Sequence, residues 1–281
     1  MSARSSSPRV SIVIPTKDEA KNLEVLLPDL PDVYEVVLVD AGSTDGTVDV
    51  ARRHLSNVRV VEQTRTGKGN ALVCGMYAAA GDVIVTLDAD GSADPCEIPA
   101  FVDALVDGAD FAKGSRYMSG GGSVDLTRLR AAGNWSLNFL SNLSLGTKFT
   151  DLCYGYNAFW SDVLPALKLP DPDQPQPADG SCIWGDGFEI ETLLTVRVAQ
   201  AGLAVTEVPS FELDRIHGES NLPSLTGSGC CARSRPRRSA EAGPSAPVSS
   251  QLRRGIMRPP AGCVHVTGNR RMPRCTMPRC T

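Results

Sequence analysis

Short apolar runs alternate with helix-like segments through the first third of the chain. Four runs rich in β-branched residues predict strands at residues 10–14, 35–39, 58–62 and 83–87. Between them, leucines at positions 23, 26, 27 and 30 and the patterns at residues 47–54 and 69–80 predict helices. Apolar strands that alternate with amphipathic helices are typical of an α/β fold. We therefore predict a mostly parallel sheet with helices on both faces.

The pattern is less regular after Asp94. It predicts a helix near residues 97–106, a strand near 111–113, and helices at 134–145 and 187–201. Residues 170–180 (PDPDQPQPADG) predict a surface loop. The glycine-rich stretch GSRYMSGGGSVD predicts a flexible loop whose backbone can approach a ligand closely.

Three polar clusters follow predicted strands at the point where each strand ends, at residues 15–19, 40–45 and 88–90. Ligands of open parallel sheets bind beyond the carboxyl ends of the strands. We therefore expect the three clusters to converge on one binding crevice.

The triplet Asp88-Ala89-Asp90 is the centre of this expected site. Two carboxylates on one side of a strand end suit Mg²⁺ or Mn²⁺, which takes its remaining ligands from substrate phosphates and water. Such an ion neutralises charge on a departing diphosphate. An isolated Asp-x-Asp more often only caps a helix or marks a turn, and the neighbouring clusters favour the metal site.

Charge divides the chain near residue 222. Residues 1–222 carry a net charge of −14, whereas residues 223–281 carry 11 Arg, one acid and a net charge of +10. The second segment lacks a core pattern and ends in MPRCTMPRCT, so we predict a disordered Arg/Pro/Cys-rich tail, with a shifted reading frame in the source gene as one hypothesis. A flexible segment 1–8 and a folded domain 9–222 complete the predicted division.

Composition narrows the class of protein. Hydrophobic and charged contents of 42% and 21% are those of a soluble globular protein, and the net charge of −4 gives no sign of nucleic-acid binding. No apolar run reaches the ~20 residues of a bilayer span, and residues 1–9 (MSARSSSPR) lack a signal peptide's apolar stretch. We therefore expect a cytoplasmic protein with reduced thiols.

Seven motifs in this order resemble family 2 glycosyltransferases, particularly the branch similar to dolichyl-phosphate mannose synthase. They span residues 9–222 and read VIPTKDEA, VDAGSTDGT, GKGNAL, LDADGSADP, KGSRYMSGGG, GFEIETLL and DRIHGESNL. The resemblance implies a GT-A fold with a Rossmann-like nucleotide-binding half. It also implies transfer of a sugar from a nucleotide-diphosphate donor.

The resemblance assigns donor-side roles to several residues. Nucleotide contacts are implied for Pro15, Thr16, Lys17, Glu19 and Asp40. Contacts with donor or acceptor phosphate are implied for Arg116, and for Arg130 in preference to Arg128. Contacts with the donor diphosphate are implied for Arg215, His217 and Ser220, in a loop that closes over the donor. Ala41 and Lys17 stand where family members often have Asp and an aromatic residue, so UDP, GDP and other nucleotides remain open. Asn221 stands where related enzymes often have Lys, a departure expected to weaken phosphate binding.

Lys68 lies in a Gly-Lys-Gly turn, from which it could reach the nucleotide or remain a solvated surface lysine. GKGNAL lacks the Ser or Thr that follows the lysine of a Walker phosphate loop, which argues against an ATPase. Among the expected catalytic carboxylates, Asp90 lies with the metal, whereas Asp151 and Glu191 lie on the acceptor side.

We expect an inverting single displacement onto a polyprenyl phosphate at the inner face of the membrane, with peripheral association. Transfer to a soluble acceptor, nucleotidyl transfer and an inactive nucleotide-sugar-binding protein are the alternatives. The sequence leaves the sugar and the oligomeric state open.

Overall fold

A seven-stranded sheet forms the centre of the computed structural model, which describes residues 4–124 and 128–218. The strand order is β3-β2-β1-β4-β7-β5-β8, and a second sheet pairs β6 with β9. The strands are β1 Val10–Thr16, β2 Glu35–Asp40, β3 Val58–Glu62, β4 Val83–Thr86, β5 Phe111–Ser115, β6 Gly122–Ser123, β7 Asn157–Trp160, β8 Val205–Pro209 and β9 Phe211–Glu212.

Helices connect and cover the strands. The α-helices are α1 Ala20–Leu26, α2 Thr47–His54, α3 Lys68–Ala78, α4 Ile98–Val106, α5 Arg128–Leu145 and α6 Ile190–Gln200. Short 3-10 helices occupy Leu27–Asp29, Pro95–Glu97 and Ser161–Leu167. In the described part of the chain, no helix is both long enough and apolar enough to cross a membrane.

The first half of the sheet is parallel, as predicted. β1 pairs in parallel with β2 and β4, and β2 pairs in parallel with β3. All six residues of β2 are buried, because the strand is covered on both faces and lies between two neighbours. β3 is only partly buried since it forms the edge of the sheet. The parallel arrangement brings the carboxyl ends of β1, β2 and β4 to one edge.

Strand β7 breaks the parallel pattern. It lies between β4 and β5 and is antiparallel to both. Sequence patterning did not predict β7 or β8. Phe159 of β7 stacks on Phe111 of β5 with ring centroids 5.4 Å apart, so packing across the pair stabilises this insertion.

The predicted elements agree with the structure in type and differ at their ends. Helix α3 spans Lys68–Ala78 against the predicted residues 69–80, and α5 begins at Arg128, six residues earlier than predicted. The predicted tail at residues 223–281 lies outside the described residues. The predicted flexible segment 1–8 stays a prediction, and within it Arg4 forms ion pairs with Asp110 and Asp162.

Candidate active site

The carboxyl ends of β1 and β2 place the first two polar clusters side by side. Thr16 lies opposite Asp40 in the strand register, and the amide of Ala41 donates to the Thr16 carbonyl at 2.9 Å. The Asp40 carboxylate accepts hydrogen bonds from the amides of Gly42 and Ser43. Asp40 therefore shapes the turn after β2.

Lys17 and the partly exposed Pro15 also belong to this edge. The Lys17 ammonium donates to the carbonyls of Ala41 and Gly42 at 3.0 and 2.7 Å. The predicted contacts of these residues with a nucleotide stay predictions. These hydrogen bonds join the first two clusters to each other.

The third cluster follows β4, which is next to β1. Ala89 is buried, and the carboxylates of Asp88 and Asp90 flank it. Asp90 is oriented by Ser92, whose amide and hydroxyl donate to Oδ1 at 3.0 and 2.7 Å. Gly91 adopts a positive φ of 74°, which favours glycine and turns the chain sharply after the triplet.

The segment 213–217 crosses over this triplet. The amide of Leu213 donates to the Ser92 carbonyl at 2.8 Å, and the amide of Ile216 donates to the Asp90 carbonyl at 3.0 Å. A side chain on Gly91 would collide with that of Ile216. The motif DRIH is therefore held against the Asp-Ala-Asp loop by backbone contacts.

Arg215 joins the first and third clusters. Its guanidinium lies 2.9 Å from Oδ2 of Asp90 and 3.7 Å from Oε1 of Glu19. Burial is the main cause that raises the pKa of Glu19, with further increases from the charges of Asp90 and Asp88, while Asn22 and Arg215 oppose the rise. The three polar clusters thus converge on one edge, as predicted from their positions after the strands.

Lys68, the first residue of α3, lies between two carboxylates. Its ammonium is 2.8 Å from Oδ2 of Asp88 and 2.6 Å from Oε1 of Glu191, the second residue of α6. Burial alone would lower the pKa of Lys68, but the charges of Asp88 and Glu191 outweigh it and raise the pKa. Burial also raises the pKa of Glu191. Lys68 is therefore no solvated surface lysine.

Glu191 packs closely on the backbone that precedes β7. A side-chain carbon on Gly155 would lie 2.7 Å from Oε1 of Glu191. The Glu191 carboxylate can therefore occupy this position because residue 155 is a glycine.

Arg116 and Asp151 bind each other. The Asp151 carboxylate is completely buried and accepts from Nε and Nη2 of Arg116 at 2.7 and 3.0 Å. Nη1 of Arg116 lies 2.9 Å from Glu212. Burial opposes the charged state of Arg116, yet the hydrogen bonds and charge of Asp151 raise its pKa. The phosphate-binding role of Arg116 and the catalytic role of Asp151 stay predictions.

Two predicted residues cannot be placed in the site. The backbone of Arg130 belongs to α5 but its side chain lies outside what the structure describes, and Ser220 lies beyond residue 218. His217 is exposed, and its backbone carbonyl accepts from Nδ2 of the Asn22 side chain at 3.2 Å.

Asp88 and Asp90 offer the hard oxygen ligands that Mg²⁺ and Mn²⁺ prefer. Within residues 4–124 and 128–218, no three His, Cys, Asp or Glu side chains are grouped so as to hold a metal ion by themselves. The pair therefore fits an ion that completes its coordination with phosphate oxygens and water.

Several buried polar residues near the site were missed by the sequence analysis. Asn22 bonds both the Glu19 carboxylate and the His217 carbonyl from the buried face of α1. In the sequence, the one indication of this role is that a polar residue lies on the same helix face as Leu23 and Leu26. Arg65 and Asp186 form a buried pair, and the buried Lys113 donates to the Tyr154 carbonyl. Their partners lie far away in sequence, so local pattern carried no sign of them.

Residues 11–167 match the model of the family described as "Glycosyl transferase family 2". An undecaprenyl-phosphate mannosyltransferase from Micrococcus luteus is 33% identical over 224 residues, covering 76% of this chain and 87% of that relative. A polyprenol monophosphomannose synthase from Mycolicibacterium smegmatis is 32% identical over 226 residues, covering 76% and 81%. These matches confirm the predicted resemblance.

Solved structures show the same fold. A glucosyl-3-phosphoglycerate synthase from Mycobacterium tuberculosis, in complex with Mn²⁺, uridine diphosphate and glucosyl-3-phosphoglycerate, has a TM-score of 0.56 and 23% identity, covering 77% of this chain and 74% of that chain. A mycobacterial protein has a TM-score of 0.59 and 22% identity, covering 77% and 69%. The likeness confirms the predicted GT-A-type α/β fold.

Proposed function

This chain belongs to glycosyltransferase family 2, and we propose that it moves a sugar from a nucleotide-diphosphate sugar to a polyprenyl phosphate with inversion at the anomeric carbon. One observation carries the proposal. Carboxylates and cations from the segments after β1 and β4, from α3 and α6, and from the segment 213–217 meet at the carboxyl edge of the parallel strands, where such sheets bind nucleotides. The relatives named for undecaprenyl-phosphate and polyprenol substrates support the acceptor class.

The residues around β1 and β2 would hold the nucleotide. Thr16 and Asp40 lie side by side at this edge, where the Thr16 hydroxyl donates to the Val39 carbonyl and the Asp40 carboxylate accepts from the turn after β2. Arg215 would stabilise the leaving diphosphate, because a guanidinium presents several donors to phosphate oxygens and keeps its charge at neutral pH. Its ion pairs with Asp90 and Glu19 place it beside the proposed metal ligands.

Asp88 and Asp90 would hold Mg²⁺ or Mn²⁺, which when bound neutralises charge that develops on the diphosphate. The complex of the Mycobacterium tuberculosis synthase with Mn²⁺ and uridine diphosphate supports this choice of ion. Lys68 balances the charge of Asp88, and Arg215 balances that of Asp90.

Glu191 and Arg116 would face the acceptor. A phosphate acceptor is already ionised at neutral pH, so it attacks without a strong general base. Arg116 would then orient the phosphate with the part of its guanidinium that its carboxylate partners leave available, and Asp151 would anchor it.

Peripheral membrane association is part of the proposal, and α5 supports it. Its polar face points inward: Asn138 donates to the Thr150 carbonyl at 2.6 Å and accepts from the Leu152 amide at 2.8 Å. Its apolar residues point outward, with Trp135 69% and Leu143 74% exposed and Phe139 stacked on Trp135. Large exposed apolar faces mark interaction sites.

The charge of this region suits an anionic lipid surface. Residues 126–150 carry Arg128, Arg130 and Lys148 and no acid, in a domain that is otherwise acidic. An interfacial helix combines such basic residues with a Trp, Phe and Leu face. The same helix reaches the acceptor side, because Asn134 lies 3.4 Å from the Asp151 carboxylate.

Flotation with vesicles of phosphatidylcholine and phosphatidylglycerol tests the membrane contact. Trp135→Ser should weaken binding about tenfold or more, because a large apolar side chain contributes about 1.5–3 kcal/mol when it leaves water. Tyr77→Ser, which removes an aromatic residue exposed on α3, is the matched control and should bind like the wild type. Equal binding by both variants would contradict the role of α5.

A product-release assay tests the transfer. Purified protein is incubated with Mn²⁺, a panel of nucleotide sugars and either polyprenyl phosphate or soluble acceptors. We expect nucleoside diphosphate to appear with one donor only when the lipid phosphate is present. Release of pyrophosphate would indicate nucleotidyl transfer, and donor binding without turnover would indicate an inactive binder. Either result would overturn the proposal.

A further inference from the structure

Lys68 is flanked by two glycines that pack against one short stretch of backbone. The amide of Gly69 donates to the Asp186 carbonyl at 2.8 Å, and the amide of Asn70 donates to the same carbonyl at 3.2 Å. A side-chain carbon on Gly67 or Gly69 would overlap the backbone of residues 185–186. The start of α3 therefore docks directly on the loop before α6.

A buried ion pair ties the same two segments together. Nε and Nη2 of Arg65 donate to the two carboxylate oxygens of Asp186 at 2.8 and 2.9 Å. Nη1 donates to the carbonyls of Asp171 and Gln174 at 2.8 and 2.5 Å. Both Arg65 and Asp186 are almost fully buried, and bidentate geometry fixes their relative orientation.

Arg65 lies three residues before Lys68, and Asp186 lies five residues before Glu191. Lys68 begins α3 and Glu191 lies in the first turn of α6, so the separation of these helix starts decides whether the Lys68 ammonium reaches both carboxylates. Its contacts of 2.8 Å to Asp88 and 2.6 Å to Glu191 leave little room for a shift.

We propose that Arg65 and Asp186 are positioning residues and that, together with the hydrogen bond from the Gly69 amide to the Asp186 carbonyl, they clamp the loop before α6 onto the start of α3 and thereby hold Lys68 between Asp88 and Glu191. Lys68 links the donor-side carboxylate to the acceptor-side carboxylate. The clamp thus sets the spacing between the two halves of the reaction site. The expected effect of the clamp on kcat rests on the proposed sugar transfer, whereas its effect on the position of Lys68 does not.

The first test reads the placement of Lys68 without any turnover. Trace labelling of the full chain with acetic anhydride, followed by peptide mass spectrometry, measures the reactivity of each lysine. We expect Lys68 to react between about two- and tenfold faster in Gly69→Ala than in the wild type, the range set by the net free energy of one hydrogen bond. The exposed Lys17 serves as the internal reference.

Gly75→Ala is the matched control. Gly75 lies in the same helix, but a side chain there would press on Val13 and Val39 in the core, away from the clamp. This variant should lose thermal stability with Lys68 labelling unchanged. Arg65→Lys keeps the charge and removes the bidentate contact with Asp186, so it tests the ion pair of the clamp and should also raise Lys68 labelling. Unchanged Lys68 labelling in the folded clamp variants would overturn the proposal.

The second test is a kinetic double-mutant cycle with Lys68→Ala. If the clamp acts through Lys68, Gly69→Ala and Lys68→Ala each lower kcat more than they raise the donor KM, and the double variant falls no more than about twofold below Lys68→Ala. If the losses of kcat in the two single variants multiply in the double variant, the clamp does not act through Lys68. If no variant and no wild type turns over, the transfer proposal fails, and the labelling result still decides the clamp.

Discussion

Asp151→Asn tests whether this carboxylate anchors Arg116. The substitution keeps the size of the side chain and removes its charge. Asp151 is completely buried and receives three hydrogen bonds from Arg116, from the backbone amide, Nε and Nη2. An asparagine offers one oxygen acceptor and turns an NH₂ donor toward the guanidinium, so at least one contact becomes repulsive.

The expected loss of stability in Asp151→Asn depends on the partners that Arg116 retains in this variant. Breaking a buried ion pair by removing one partner costs about 3–5 kcal/mol. Glu212 remains 2.9 Å from Nη1, and the Tyr154 ring remains 4.7 Å from the guanidinium carbon, so the charge is not left without partners. We therefore expect the lower limit, about 3 kcal/mol, which lowers Tm by about 6–12 °C for a domain of this size.

Calorimetry and urea unfolding measure the loss. Arg116→Met and the double variant complete the cycle, and the double variant should lose about 1–3 kcal/mol less than the sum of the single variants. Asp82→Asn, which breaks the exposed pair with Arg9, is the control and should change Tm much less. A Tm drop below about 2 °C, together with a large fall in kcat, would refute the anchoring role and favour a direct catalytic one.

Three further predictions address the metal site, the diphosphate contact and pH. Asp90→Asn should fold, lower transfer at least about 100-fold and abolish the thermal shift that Mn²⁺ and donor produce together; a retained shift would argue against a ligand role. Arg215→Ala should lower kcat/KM by roughly 10–150-fold, the equivalent of one charged hydrogen bond of about 1.5–3 kcal/mol, with Arg215→Lys intermediate in steady-state assays; equal activity would contradict its role. Burial raises the pKa of Glu97 in the folded state above its ordinary value, so the folded protein binds this proton more tightly than the unfolded chain does. The contribution of Glu97 to the free energy of unfolding therefore falls as the pH rises from the ordinary pKa through the raised pKa. The Tm of Glu97→Gln relative to wild type should therefore increase between about pH 4 and pH 7, and a constant difference would contradict this assignment.

The nucleotide-binding half of the fold could be predicted because its signals are local. A strand buried on both faces is apolar at every position, as in β2, and a covering helix repeats its apolar residues at helical spacing. The position of Asp88 and Asp90 at a strand end follows from the same pattern. Since parallel strands end at one edge, the convergence of the polar clusters could also be inferred before the structure.

The motif residues of the second half were recognised by resemblance, but their partners were not. Arg116 and Asp151 were predicted as separate contacts to phosphate and acceptor, 35 residues apart, and the fold joins them in one buried ion pair. Lys68 was predicted either to reach the nucleotide or to be a solvated surface lysine, and packing places it against Glu191, 123 residues away. Such pairs depend on how elements meet, which no local window of sequence records.

The strands and helices of the first half, and the polar residues that follow the strands, could be predicted because burial and periodicity depend on neighbouring residues. The antiparallel insertion of β7, the ion pairs of Lys68, Arg116 and Arg215, and the ion pair between Arg65 and Asp186 depend instead on how distant segments pack in the fold. A buried charge needs a partner in space rather than in sequence, and long-range packing supplies that partner.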